Sequence, residues 1–286
     1  MDSICAKHSL RRYFSVASWW MIMLLCSMLF MLPFVWMTLT AFKTAPQTVA
    51  YPIQWIPHPW TLRAFTEGLA TGGFDHYFLN TAFITLMCIL GTLVSGSVVA
   101  FGFARLNAKH KRLLFSIVLA TMMIPGTVTL IPMFVLYSKL KWVDTFLPLI
   151  LPSFLGGGAF NIFLLRQFFA SIPRELGESA MLDGCSWFKI YRSIYLPNTK
   201  PALLVVTMFT FVGTWNDYFS PMIYLVNPKK FTISIGLAAF KSQYGGAQDI
   251  GPMMAMSLLA LLPVLALYLI CQKYFVEGVV TSGMKG

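Results

Sequence analysis

Between Arg12 and Lys43 the chain runs for 30 residues without an Asp, Glu, Lys or Arg. Four more windows share this property: His76 to Ala104, Leu113 to Ser138, Thr145 to Leu165 and Ile250 to Gln272. A sixth apolar run, Ala202 to Val226, is interrupted only by Asp217. At 1.5 Å per residue, about 20 residues of helix cross the roughly 30 Å of hydrocarbon in a bilayer, and each window reaches that length. A water-soluble surface needs far more charge than the 11% present here. The expectation is an all-α membrane protein with six transmembrane helices at about residues 15–42, 78–104, 113–138, 145–169, 202–226 and 252–274. They form one membrane domain, 15–275, between an N-terminus 1–14 and a tail 276–286. The first run is too long for the core of a signal peptide and reads as a retained span.

The net charge of +11 would suit a nucleic-acid partner only if it were gathered on one surface. It is instead divided by the spans. Assigning the loops alternately places 14 basic residues on one side and 7 on the other. The positive-inside rule then puts both termini, the Arg105–Arg112 turn and the 171–201 segment in the cytoplasm. The basic excess is topology, and no nucleic acid is expected. The five cysteines (Cys5, Cys26, Cys88, Cys185, Cys271) are scattered, with neither the pattern of a disulfide framework nor the spacing of a zinc site.

Along the chain, the outer segment after the first span gathers Trp55, Pro57, Pro59 and Trp60, which suits a stretch lying at the interface or meeting an external partner. Span two carries Thr92, Gly96, Ala100 and Ala104 at four-residue steps, a seam of small residues for close packing. Span three, with Pro125-Gly126 and Pro132, reads as kinked. In span four Gly156-Gly157-Gly158 weakens the helix, either for packing against protein or for lining a cavity. Asp217 is the lone ionisable group at membrane depth. Gly213, Asn216, Asp217 and Ser220 would share one helical face by their i, i+3, i+4, i+7 spacing. Such a charge lines a substrate path or makes an interhelical hydrogen bond. Gly157 is the candidate to face these four residues.

Catalytic patterns are missing. The sequence holds no G-x-x-x-x-G-K nucleotide loop and no H-E-x-x-H, and Asp217 has no second carboxylate at its depth. Energy for transport would have to come from an ion gradient or from another subunit.

The segment Ser171 to Pro201, SIPRELGESAMLDGCSWFKIYRSIYLPNTKP, is polar between two apolar runs. Pro173 suits the first turn of a helix, and Glu175 and Glu178 complement its N-terminal dipole. Gly184 interrupts that helix, and Leu196-Pro197 closes the segment. Charge and helix signals alone leave two readings, a solvated loop or a docking element. A resemblance decides between them. Glu178-Ser179-Ala180, three residues, Gly184, nine residues, then Ile194-Tyr195-Leu196-Pro197 resembles the EAA loop of ABC-importer permeases, with Ser179 in place of the first alanine. FLNTAFIT (Phe78 to Thr85), FLLRQFF (Phe163 to Phe169), TWNDYFSP (Thr214 to Pro221) and the closing Lys285-Gly286 extend the resemblance to the MalG-like carbohydrate permeases over nearly the whole chain.

That resemblance implies a type I importer permease of the MetI-like fold, with a cytoplasmic EAA coupling helix, in the inner membrane of a prokaryote. It implies a homologous second permease, two copies of a cytoplasmic ATPase and an extracytoplasmic substrate-binding protein as partners. It further implies a sugar or oligosaccharide as substrate, with lipid as the surrounding solvent. Glu178, Ser179, Ala180, Asp183 and Gly184 would dock into the ATPase. The chain would hold no cofactor, because ATP and magnesium would sit on the partner. Glycerol-3-phosphate-type esters remain an alternative substrate class. An ion-coupled carrier would be expected to show internal repeats, and none is seen.

Overall fold

The computed structural model describes residues 2–244 and 249–283, with side chains at 16–70, 73–240 and 249–272. Met1, residues 245–248 of the expected outer loop and the last three residues of the expected tail, 284–286, lie outside the described residues. Every regular element among the described residues is helical. The chain begins with α1 (Asp2–Ala41), α2 (Ala45–Thr48), α3 (Arg63–Gly72), α4 (Phe74–Gly91) and α5 (Ser97–Arg105). Next come α6 (Lys111–Thr121), α7 (Gly126–Lys139), α8 (Leu147–Phe154), α9 (Ala159–Ser171), α10 (Arg174–Leu182) and α11 (Trp187–Ile190). The last are α12 (Leu196–Asn198), α13 (Lys200–Trp215), α14 (Phe219–Tyr224), α15 (Ile233–Tyr244) and α16 (Gly251–Gly283). Single π-helical turns, Thr92–Gly96 and Tyr191–Tyr195, join α4 to α5 and α11 to α12.

Four stretches are long and apolar enough to cross a bilayer: Val16–Ala41, Phe74–Arg105, Leu147–Ser171 and Gly251–Gln272. Helices α6 and α7 make a fifth only if taken together, because they meet at 97°. Two of the expected spans, 113–138 and 202–226, therefore need correction. The expected kink in 113–138 is a full break, since Pro125 takes extended backbone (ψ 133°) and disfavours helix at the residue before it. The expected span 145–169 is present as Leu147–Ser171, with its helix divided at the glycines as expected. Gly156, Gly157 and Gly158 all have positive φ (105°, 68° and 89°), backbone that only glycine adopts without strain. The expected span 202–226 is broken as well. Helix α13 ends at Trp215, and α14 begins after Asn216–Tyr218. At 16 residues, α13 rises about 24 Å and by itself falls short of the hydrocarbon thickness.

The chain divides into two compact units, Met1–Thr71 with Phe240–Leu259, and Gly72–Ala239 with Ala260–Gly286. In the first unit, α1 is exposed from Val16 to Val35 and becomes buried only at its end, at Thr40 and Ala41. The end of this helix is packed by aromatic side chains. Trp36 meets Trp55 edge-on at 5.2 Å, and Phe42 contacts Trp60 and Phe65 at 5.6 and 5.2 Å. The Lys43 ammonium sits 4.1 Å from the Trp36 ring centre, and Arg63 pairs with both Glu67 and Asp249.

In the second unit, the core joins α5, α9, the Tyr191–Tyr195 turn and α13 through Phe101, Leu165, Phe169, Tyr191, Tyr195 and Val206. Phe101 is its hub, with ring contacts to Phe169, Tyr191 and Tyr195 at 5.9, 5.2 and 5.3 Å. The expected small-residue seam is real at its first two steps. A Cβ on Gly96 would lie 3.3 Å from the Gly156 carbonyl oxygen, and one on Gly157 would lie 2.9 Å from Thr92 Cα. The glycine run thus lets two backbones touch.

At the far end of α7, Asp144 ties two loops together. Its carboxylate accepts hydrogen bonds from the Val226 and Asn227 amides (3.0 and 2.9 Å) and from Lys230 Nζ (2.9 Å). The Asn227 amide first, then Lys230 and the Val226 amide, hold its pKa down to about 2. An unfolded aspartate titrates near 3.9. The carboxylate's stabilising contribution is therefore complete above that value and disappears as pH falls through about 2. Asp144→Ala should lower the melting temperature of the purified protein at neutral pH. The gap from wild type should close as the pH is taken from about 4 down toward 2, as scanning fluorimetry would read.

Candidate functional site

Helix α10 begins one residue after Pro173, which lies just outside the first turn as the cap (ψ 138°). Glu175 occupies the first turn, where the helix dipole favours an anion. The helix ends in a Schellman motif. The Cys185 N–H donates to the Ala180 carbonyl (2.9 Å) and the Gly184 N–H donates to the Met181 carbonyl (3.0 Å), with Gly184 at φ +76°. The expected helix break at Gly184 is this cap.

One face of α10 is fixed to the core. A Cβ on Gly177 would lie 2.8 Å from Tyr195 Oη, and Tyr195 is only 2% exposed. Arg105 lies over that ring, 4.7 Å from its centre. Its guanidinium also donates to the carbonyls of Phe169 and Ile172 at the end of α9. Backbone carbonyls that would otherwise lack partners are thus satisfied. The Tyr191 and Ser97 hydroxyls meet at 2.7 Å in the interior. The loop is bolted to the helices rather than hanging from them.

Much of the rest of the helix is open. Glu178, Ser179, Asp183 and Gly184 are exposed, Ala180 is half-buried against the core, and Glu178 borders a cavity shared with Arg105, Gly177 and Tyr195, so the structure brings all five expected residues onto one short helix and its cap. Beside them Leu182 is 90% exposed and Phe188 67% exposed. Sequence reasoning passed over both residues. The available signal was an apolar side chain next to the Asp183-Gly184 cap in a polar stretch. The Gly177–Tyr195 contact had no signal, because it joins residues 18 apart through a packing detail.

A second site is a cavity of about 410 Å³ bounded by α4, α7, α8, α13 and α14. Its walls include Tyr137 and Tyr224, edge-to-face at 5.3 Å, with polar groups from Thr81, Ser153, Thr214, Asp217 and Ser220. The volume falls in the range of small-molecule sites, about 300–1,000 Å³. Asp217 does not lie within a helix as expected. It follows the end of α13, and its Oδ1 accepts the Ser220 N–H (3.1 Å) in the first turn of α14. Gly213, Asp217 and Ser220 line the cavity, whereas Asn216 faces outward and bonds back to the Val212 carbonyl (2.9 Å). The four therefore do not share one helical face. Gly157 is also absent from the walls, being pressed against Thr92; Pro152 and Ser153 from the preceding turn line the cavity instead. Trp215, just before the break, is buried and donates its indole N–H to the Ala260 carbonyl (3.0 Å).

These features, a capped polar loop between apolar helices and a polar cavity among them, agree with the comparisons to known proteins. Residues 92–280 match the family described as binding-protein-dependent transport system inner membrane component. The chain belongs to that family. An ABC transporter permease, ORF2, of Caldicellulosiruptor sp. (strain Rt8B.4) is 35% identical over 89% of this chain and 91% of its own length. The arabinooligosaccharides transport permease AraQ of Halalkalibacterium halodurans is 30% identical over 89% of this chain and 91% of that protein. The trehalose/maltose permease MalG of Thermococcus litoralis is 27% identical over 92% and 94%. Among solved structures, a chain of a bacterial ABC transporter involved in the import of the acidic polysaccharide alginate shares the fold. It has a TM-score of 0.82 and 22% identity, over 92% of this chain and 97% of that one.

Proposed function

We propose that this permease moves a sugar or oligosaccharide inward, driven by ATP hydrolysed on two copies of a cytoplasmic ATPase. The observation that carries the reading is the open face of α10. A rigid, capped helix with Glu178, Ser179, Ala180, Asp183 and Gly184 beside exposed Leu182 and Phe188 fits a socket on another protein. Apolar side chains this exposed in water gain most by entering a pocket. The small residues allow close approach, and the contacts of Gly177 and Arg105 give the loop a stiff link to α5 and α9 through which ATPase closure would tilt the spans.

The exposed stretch of α1 from Val16 to Val35 is the surface we assign to a homologous second permease. We assign Lys200–Tyr224 to a sixth, broken span, and both termini to the cytoplasm. ATP and magnesium would sit on the ATPase, with no cofactor held here. Arabinooligosaccharide and trehalose/maltose permeases among the relatives support a carbohydrate delivered by an extracytoplasmic binding protein. So do the tyrosines and hydroxyls of the cavity, where Gly213, Asp217 and Ser220 would meet substrate. Asn216 and Gly157 are left out of that path. A carboxylate at the cavity disfavours phosphate esters.

Purification with co-purifying partners and reconstitution in vesicles tests this. ATPase activity should rise with a sugar-loaded binding protein and not with glycerol-3-phosphate, and the permease alone should be inert. Uptake by the permease alone would assign it to the carriers. Asp217→Ala should reduce uptake about tenfold, the value of one charge-assisted hydrogen bond, with assembly unchanged. Unaltered uptake would remove Asp217 from the path.

A further inference from the structure

Away from the loop and the cavity, a pocket of about 280 Å³ opens between α6 and the ends of α5 and α9, lined by Phe103, Lys111, Arg112, Phe115, Ser116 and Arg166. Three of its six lining residues are cations and none is an acid. Among the described residues no carboxylate forms an ion pair with Lys111, Arg112 or Arg166. The Arg166 guanidinium is stacked 4.2 Å from the Phe115 ring centre, and its buried Nε has no hydrogen-bond partner. A buried donor left in this way costs free energy until an acceptor arrives. Lys111 already gives one bond to the Leu106 carbonyl (2.7 Å), which holds its ammonium at the pocket rim.

The neighbouring surface says which acceptor. Leu113, Leu114 and Ile117, on the same helix as Arg112 and Ser116, are all exposed. Leu113 and Ile117 are one turn apart and form an apolar strip beginning beside the cationic pocket. A free anion would use the pocket and leave the strip bare, whereas a phospholipid uses both. We propose that this pocket binds the phosphate headgroup of an anionic phospholipid in the leaflet that meets the Arg105–Arg112 turn, with an acyl chain along Leu113 and Ile117. Arg112 and Lys111 supply charge, Arg166 and the Ser116 hydroxyl supply hydrogen bonds, and Phe103 and Phe115 supply the apolar floor.

The test uses the intact importer complex reconstituted in mixed phosphatidylcholine and phosphatidylglycerol, then extracted and read for retained lipid by native mass spectrometry. Phosphatidylglycerol should be retained in preference to phosphatidylcholine. Arg112→Gln, at an exposed position that no other side chain depends on, should lower its retention about fivefold, and Lys111→Gln with Arg112→Gln about 25-fold. Lys139→Gln, a charge removed at the other end of α7, should change nothing. Equal retention of the two lipids, or unchanged retention in Arg112→Gln, overturns the proposal. Displacement by inorganic phosphate would make it a free-anion site and also overturn it. Loss of ATPase binding in Arg112→Gln with lipid retention intact would assign the pocket to a protein instead.

Discussion

Leu182→Asp should abolish ATP-driven uptake while leaving the amount of inserted permease unchanged. Leu182 is 90% exposed, so its replacement removes no contact within this chain and adds a charge that water already solvates. On binding, the same position would carry an unpaired carboxylate into an apolar socket. Buried hot-spot residues typically contribute about 2–4 kcal/mol to an interface, and burying an unpaired charge adds to that loss. The ATPase should dissociate on purification, and uptake should fall at least about 100-fold. Leu182→Met, which keeps the apolar contact, should retain most activity. If Leu182→Asp kept the ATPase bound at wild-type stoichiometry, α10 would not be the coupling element. Normal uptake in a companion Glu178→Lys variant would separately remove Glu178 from that contact.

Gly157→Leu should fail at an earlier stage, with little folded permease recovered from the membrane. Gly157 has φ +68°, and a Cβ there would stand 2.9 Å from Thr92 Cα and 3.0 Å from the Thr92 carbonyl oxygen. The left-handed backbone costs a side-chain-bearing residue about 1 kcal/mol, and overpacking against backbone that cannot step aside costs about 1–3 kcal/mol more. Together these reach a sizeable share of the stability of a typical protein. Gly158→Ala makes the contrasting case: its φ is +89°, but nothing lies within 4 Å of the added Cβ. Only the backbone strain remains, and the protein should still assemble, with a modest fall in melting temperature. Comparable recovery of Gly157→Leu and Gly158→Ala would contradict the close approach of the two helices.

Much of this architecture was legible because the membrane imposes a coarse rule. Windows without charge must be helices, since no other regular segment satisfies its own backbone in hydrocarbon. The Gly184 cap was legible too, because a glycine following a short polar helix is a local signal. Span continuity was legible only in part. Pro125 and Gly156–Gly158 announced a kink and a weakened helix, but the 97° turn near Pro125 and the break at Asn216–Tyr218 were hidden, since hydropathy does not register a backbone turn. Asp217 was legible as an unusual charge, but its helical face was not. The i, i+3, i+4, i+7 argument assumed a continuous helix, and Asn216 points elsewhere once that helix ends at Trp215. Gly157 was assigned to a cavity wall when its neighbour proved to be the Thr92 backbone.

The sequence by itself determined the all-helical membrane class, the polar loop between apolar runs and the glycine cap of its helix. These follow from composition and from spacing within a few helical turns. Tertiary structure alone decided which face of α10 is free, because Gly177 rests against Tyr195 and Arg105 joins that ring to the end of α9. It also decided that Thr81, Ser153 and Asp217 share a cavity. Those contacts bring together residues from distant helices through interdigitated packing, and no local pattern encodes which side chains will meet.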